Sequence, residues 1–406
     1  MTFKEALLFI GKCLTISHEE KNKLLIEEEL KSTTVDWEAV VKLSTKHYVF
    51  PALYCNLKRA DFLHYLPKEL VNYMIHITDL NRERNQQMIA QAKELNELLL
   101  ANNIMPIFLK GVGNLLENLY EDIGERMLSD IDFLVSESHI SKAIDILKEN
   151  DYYILKDNIP ESHGRHYPKL VHKTKISGVE VHRKMLREPY SKLFDYTIIK
   201  NSILKHHQNE HTLGYTDQIV LNVLSKQVND YGHFFKNVAL RSHYDTFLLS
   251  KKTNFQEYLN NKKPFFKILN GYFAVSTFLL NSPAGIYYKD DPKTKLFLKK
   301  TIKIIENPTA IKRSKLKAKM FHKFLPFKRG INVFLKAIYK KEYLLFMWNK
   351  LSNVNWYKER FFKIKPMITL ENIKYSLGVP PNFPETMDCI ITSSFSNSSL
   401  LIIFSP

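Results

Sequence analysis

Apolar positions along the first hundred residues recur at helical spacing. The stretch WEAVVKLSTKHYVFPALYCNLKRA follows that period with a break expected at Pro51. A longer run from Pro67 to Asn102 sets Leu95, Leu98 and Leu99 on one face. Past residue 103 the period changes. IMPIFLKG is a short apolar run closed by Gly111, which predicts a buried strand. VGNLLENLYEDIG predicts a helix, and DIDFLV a second strand. SESHISKAIDILKENDY opens on a Ser-rich cap and continues as a helix with Ile140, Ala143, Ile144 and Leu147 on its buried face. YYILKD predicts a third strand, and KLVHKTKISGVEVHRKM a hairpin turning around Thr174 to Gly178. Strand, helix, strand, helix, strand and hairpin is the order of a small α/β sheet. After about Asn201 the pattern is helical again. YTDQIVLNVLSKQV and LRSHYDTFLLSK read as amphipathic helices, ENPTAIKRSK as a loop, and the tail SSFSNSSLLIIFSP predicts no element.

These changes divide the chain into an expected N-terminal helical region (1–103), a sheet core (104–200), a helical region (201–285) and a basic, mainly helical region (286–406) with a tail expected to be disordered. At 406 residues, 45% hydrophobic and 12% aromatic, the composition is globular. Cys13, Cys55 and Cys389 are odd in number and far apart, so they offer neither a disulfide framework nor a metal knuckle. The N-terminus is charged too early for a secretory signal. The most apolar stretch, ILNGYFAVSTFLL, is too short to span a bilayer and reads as a buried helix. A cytoplasmic protein is expected.

Charge sharpens the picture at one end. The formal net charge is +17, and Tyr287 to Lys365 holds 22 Lys and Arg against five acids, an excess as large as that of the whole chain. Such a region is either a solvated lysine-rich face or a surface for an anionic partner such as nucleic acid or another polyanion.

The chemistry concentrates in the strands. Asp130 and Asp132 interrupt an apolar run, and side-chain alternation puts them on one face about 7 Å apart, with Ile131 and Phe133 facing the core. Two neighbouring carboxylates repel, and a divalent cation relieves them. In GVEVH the valines face one way, and Glu180 and His182 the other. If that strand lies beside DIDFLV, three carboxylates converge on a patch suited to two-metal phosphoryl transfer. Lys110 and Gly111 close the first strand, where a helix starting at Val112 would aim its positive end at a phosphate. Arg126 is a further phosphate candidate. His163, His166 and His172 lack a compact metal-binding spacing, and Arg241 with Asp245 reads as an i,i+4 ion pair on a helix surface.

Taken in order, FLKG (Phe108 to Gly111), RMLSDIDFLV (Arg126 to Val135) and GVEVHRKM (Gly178 to Met185) resemble the nucleotidyltransferase superfamily. The resemblance is closest to its bacterial branch of uncharacterised nucleotidyltransferases. It is specific from about Ile104 to Met185, looser through flanking helices such as LRSHYDTFLL, and stops near residue 285. It implies an α+β fold, with a small mixed-sheet core flanked by helical regions. It also implies transfer of a nucleoside monophosphate from an NTP such as ATP to an acceptor, with release of pyrophosphate. Asp130 and Asp132 would hold Mg²⁺ or Mn²⁺, and Glu180 would be the third acid, turned to the acceptor hydroxyl. Lys110 and Gly111 would hold the β- and γ-phosphates, with Arg126 and Ser129 also in the nucleotide-binding set and His182 a hydrogen-bond partner of the acids. The wider superfamily carries Gly-Ser where this chain has Lys-Gly. The residues by themselves leave open a glycosyltransferase that uses D-x-D for a nucleotide-sugar metal. They equally leave open a non-catalytic binding protein whose basic end, with aromatics among lysines in FHKFLPFKRG and WYKERFFKIK, docks a polyanion.

Overall fold

The computed structural model describes residues 1–352 except 33–34, 155–163, 207–208, 261–263 and 340. Cys389, His163, the end of YYILKD, WYKERFFKIK and the apolar tail lie outside the described residues.

Four helices open the chain: α1 (Phe3–Cys13), α2 (Glu20–Ser32), α3 (Trp37–Lys46) and α4 (Phe50–Arg59). Thr2 and Glu5 form a reciprocal capping box on α1, satisfying amides that a helix start leaves without partners. The break expected at Pro51 falls just ahead of it, at Tyr48 with φ +57°, because proline is well accommodated in the first turn of α4. The periodic run becomes one 34-residue helix, α5 (Lys68–Ala101).

The sheet follows, with β1 (Ile107–Phe108), α6 (Lys110–Leu116), β2 (Asp130–Leu134), α7 (Ile140–Glu149), β3 (Tyr153–Ile154), β4 (Leu170–Val171) and β5 (Gly178–His182). The expected hairpin is β4 antiparallel to β5, with Leu170 opposite Val179. The buried face of α7 includes the four residues expected there. Among the described residues the sheet has seven strands in the order β3-β4-β5-β2-β1-β7-β6, mixed in direction. Its last two, β6 (Leu204–Lys205) and β7 (His211–Thr212), correct the expectation that the chain is helical from Asn201 onward. Two-residue strands are too short to show alternation, so only the pairing of β7 to β1 and of β6 to β7 reveals them.

The remaining helices are α8 (Tyr196–Ile199), α9 (Tyr215–Leu224), α10 (Gly232–Phe235), α11 (Leu240–Ser250), α12 (Phe255–Asn260), α13 (Phe266–Leu279), α14 (Pro292–Glu306), α15 (Pro308–Ala337) and α16 (Lys341–Leu351). Two expectations are corrected here. The expected loop ENPTAIKRSK is a helix boundary only: Asn307 Oδ1 accepts from the Thr309 and Ala310 amides, and Pro308 starts α15. α11 is not amphipathic, since Ser242 through Ser250 are all buried. Its polar groups find partners on neighbouring helices, including Asn222, Tyr272 and Ser276. One apolar core runs from Ala6 to Ile305 through both helical parts and the sheet. No helix of the described residues is long and apolar enough to cross a membrane, and most of ILNGYFAVSTFLL lies buried in α13.

Candidate active site

The register between β2 and β5 builds the site. The two strands pair in parallel, with Asp132 opposite Glu180, Asp130 opposite Gly178 and Leu134 opposite His182. Ile131, Phe133, Val179 and Val181 are fully buried in the core, so alternation turns the acids and His182 to the opposite face.

On that face Asp132, Glu180 and His182 each offer a ligand atom, all within 4.8 Å of one another. Asp132 is only 4% exposed and His182 not at all. Lys110 Nζ donates to Asp132 Oδ1 at 2.7 Å, and His182 Nε2 donates to the same oxygen at 2.7 Å. Asp130 stands at the edge of this group. It accepts from Ser129 Oγ at 2.9 Å and from Lys169 Nζ at 2.8 Å, and Lys169 is also 3.6 Å from Glu180. His166 Nε2 lies 3.5 Å from Glu180 Oε2. Two ammonium groups and two imidazoles therefore surround three carboxylates and offset the cost of placing acids in an apolar strand.

The charges are tuned accordingly. Burial alone would raise Asp132, but the Lys110 ammonium and the His182 hydrogen bond outweigh it and hold the carboxyl well below its usual range. Burial also acts to raise Glu180, and the His182 imidazole, 3.7 Å from its Oε2, outweighs it, so Glu180 is lowered. His182 is raised by Asp132 and Glu180 against the effect of its burial. Lys169 is raised in the same way by Asp130.

Lys110 turns the chain out of β1 in a left-handed conformation, φ +56°, which costs a non-glycine residue on the order of 1 kcal/mol. Its link to Asp132 holds it there. A Cβ on Gly111 would come 2.3 Å from Leu128 Cδ2 and 3.3 Å from the Arg126 guanidinium, so this position needs glycine for the approach of the segment entering β2.

Arg126 itself is buried. Its Nε donates to Asp245 Oδ2, its Nη2 lies 2.9 Å from the same oxygen in an ion pair, and its Nη1 donates to the Met127 carbonyl. Asp245 also accepts from Tyr120. The surface pair expected between Arg241 and Asp245 is thus corrected: α11 is internal, Asp245 serves Arg126, and Arg241 donates to the Met127 carbonyl while lying over the Tyr48 ring. The preceding residue, Glu125, is buried as well and is taken by Arg59 and by Tyr244 of α11. From the other side α5 reaches the same segment, where Asn81 and Asn85 donate to the carbonyls of Ile123, Gly124 and Arg126 and Arg84 to that of Leu128. Farther along α5, Gln91 holds Ser177 at the start of β5.

Of the residues picked from the sequence, the structure brings Lys110, Ser129, Asp130, Asp132, Glu180 and His182 together, and sets Gly111 and Arg126 beside them as packing and support. Sequence reasoning missed Lys169 as a contact of the acids. His172 stays apart, next to Thr174.

An α+β protein with carboxylates presented on adjacent parallel strands of a mixed sheet, braced by helices on both sides, is the class that this fold and site define. The chain belongs to a family described as uncharacterised nucleotidyltransferases, whose sequence model matches residues 33–263. No curated protein and no solved structure matches it.

Proposed function

We propose that the protein transfers a nucleoside monophosphate from an NTP to a hydroxyl or phosphate acceptor and releases pyrophosphate. The observation that supports this best is the β2–β5 register, which sets Asp132 across from Glu180 with Asp130 one pleat away. Asp132, Glu180 and His182 bring ligand atoms together in a set that fits a divalent cation, Mg²⁺ or Mn²⁺; Asp132 and Glu180 would hold it, with Asp130, one pleat away, as the third acid. Bound there, such ions supply neutralisation of the triphosphate and of the charge that develops in transfer.

The chain's own groups account for the rest. Glu180, kept ionised, accepts the proton of the acceptor hydroxyl. The acceptor oxygen bonds to the α-phosphorus as the bond to the β-phosphate bridge breaks, and pyrophosphate leaves with that electron pair. Lys110 and Lys169 supply positive charge next to the acids, suited to phosphate oxygens. Ser129 and His182 fix the Asp130 and Asp132 carboxylates through hydrogen bonds. Arg126 acts as a positioning residue through Asp245.

The test is incubation of the full chain with each α-labelled NTP and Mg²⁺ or Mn²⁺, following label transfer and pyrophosphate. Glu180→Gln and Asp130→Asn, both at half-buried positions, should lower transfer about 10³-fold while circular dichroism stays unchanged. Undiminished transfer by these variants, or no turnover of any NTP by the parent chain, would refute the assignment.

A further inference from the structure

A second cavity, of about 770 Å³, opens between the loop that follows β5 and the helices α13 to α15. None of its lining residues belongs to the acid site. Its volume is that of a small-molecule pocket. Four cations from three parts of the chain face it: Arg187 after β5, Lys236 at the end of α10, and Lys300 and Lys303 on α14. No carboxylate lines it among the described residues. The acids nearest in sequence are engaged elsewhere, Glu188 with Lys184, Asp230 with Lys226 and Glu306 with Lys4. The rest of the wall is apolar or aromatic, including Tyr190, Tyr231, Ile268 and Ile304.

The wall is also strained. A π-helical turn at Ser225–Asn229 leads to Tyr231 and Lys236, which bracket the four-residue α10 with φ of +57° each. Each left-handed residue costs on the order of 1–2 kcal/mol and persists only where its surroundings impose it. Here that conformation accompanies a stacked Arg187 guanidinium 3.8 Å from the Tyr231 ring centre and a Lys236 ammonium 4.2 Å from that of Phe297.

We infer that this cavity is a binding site for a small organic phosphate with an aromatic or apolar body. The phosphate sits among Lys236, Lys300, Lys303 and Arg187, and the body lies against Tyr190, Ile268 and Ile304. Burial and the neighbouring Lys300 charge both lower the pKa of Lys236, a repulsion that a bound anion removes. This inference stands apart from the transfer reaction.

Calorimetric titration of the full chain with 2-naphthyl phosphate, at 150 mM salt with EDTA present, tests it. Saturable binding is expected, with 2-naphthol and inorganic phosphate each at least about tenfold weaker because each lacks one half of the recognition. The double substitution K300A/K303A, at exposed positions of α14, should weaken binding about tenfold or more. K317A/K319A, equal in charge but outside the cavity, and Glu180→Gln should leave it unchanged. Binding that survives K300A/K303A, equal loss in K317A/K319A, or saturable binding of a single-stranded RNA oligonucleotide with none of naphthyl phosphate would each overturn the proposal.

Discussion

Glu117, just past α6, has a half-buried carboxylate that accepts from Gln218, and burial pushes its pKa up to about 8. It stays protonated in the fold while the unfolded chain ionises near 4.5, so its contribution is full below that value and is lost as pH rises through about 8. Glu117→Gln should therefore match the parent near pH 4.5 and exceed it by about 2 kcal/mol at pH 8.5. Urea midpoints at the two pH values measure this, and a gap independent of pH refutes it. Residues of this kind were invisible in the sequence, whereas the site acids were legible, because Ile131, Phe133, Val179 and Val181 fix which way a pleat faces. Lys169 was not legible, since it opens the first run of the expected hairpin and nothing local shows that this run reaches Asp130 of β2. The partner of Asp245 was misjudged because i,i+4 spacing names a helix neighbour and says nothing of an arginine 119 positions away.

Among elements, α5 carries the largest burden for the site. Its buried stripe runs Met74, Thr78, Asn81, Asn85, Met88, Ala92, Leu95 and Leu99, five apolar residues and three polar. The apolar end was readable as a helix face, but the asparagines, which reach the loop carbonyls before β2, do not register in a hydrophobic period. Asn85→Leu would take its donor from the Ile123 carbonyl and leave the Arg126 carbonyl with Asn81 alone, and should cost about 1–3 kcal/mol. A drop in urea midpoint of that size is expected, together with lower transfer in the folded fraction. An unchanged midpoint would show that the clamp bears no strain. The alternation in five-residue β2 and β5 revealed them, while two-residue β6 and β7 are set only by pairing at a distance.

For the molecule as a whole, three histidines outside the acid site are kept neutral by burial: His47 and His233 are pushed down to about 4 and His243 to about 3. Unfolding lets each take a proton below about 6.5. Their stabilising effect is present above that pH and is lost as pH falls toward 4, at about 1.4 kcal/mol per unit for each. Glu117 and His182 act in the opposite direction over this range, but burial lowers His18 and His211 as well, so five histidines oppose them. Thermal unfolding should thus come at a lower temperature at pH 5 than at pH 7, and a higher one at pH 5 would contradict the burial of these rings. At this scale the sequence showed the order of helices and strands and the concentration of positive charge. It did not show that a single core joins both helical parts to the sheet, because contacts between distant segments leave no local period.

The grip of Tyr244 and Asp245 on Glu125 and Arg126 has a consequence for modularity. Severed from α11, Arg126 would stay buried without its counter-ion Asp245, and Glu125 would keep Arg59 but lose the Tyr244 hydroxyl, a penalty of several kcal/mol that a five-residue strand pair cannot absorb. The sheet is therefore not a portable cassette: any shorter version able to fold must reach at least as far as Ser250.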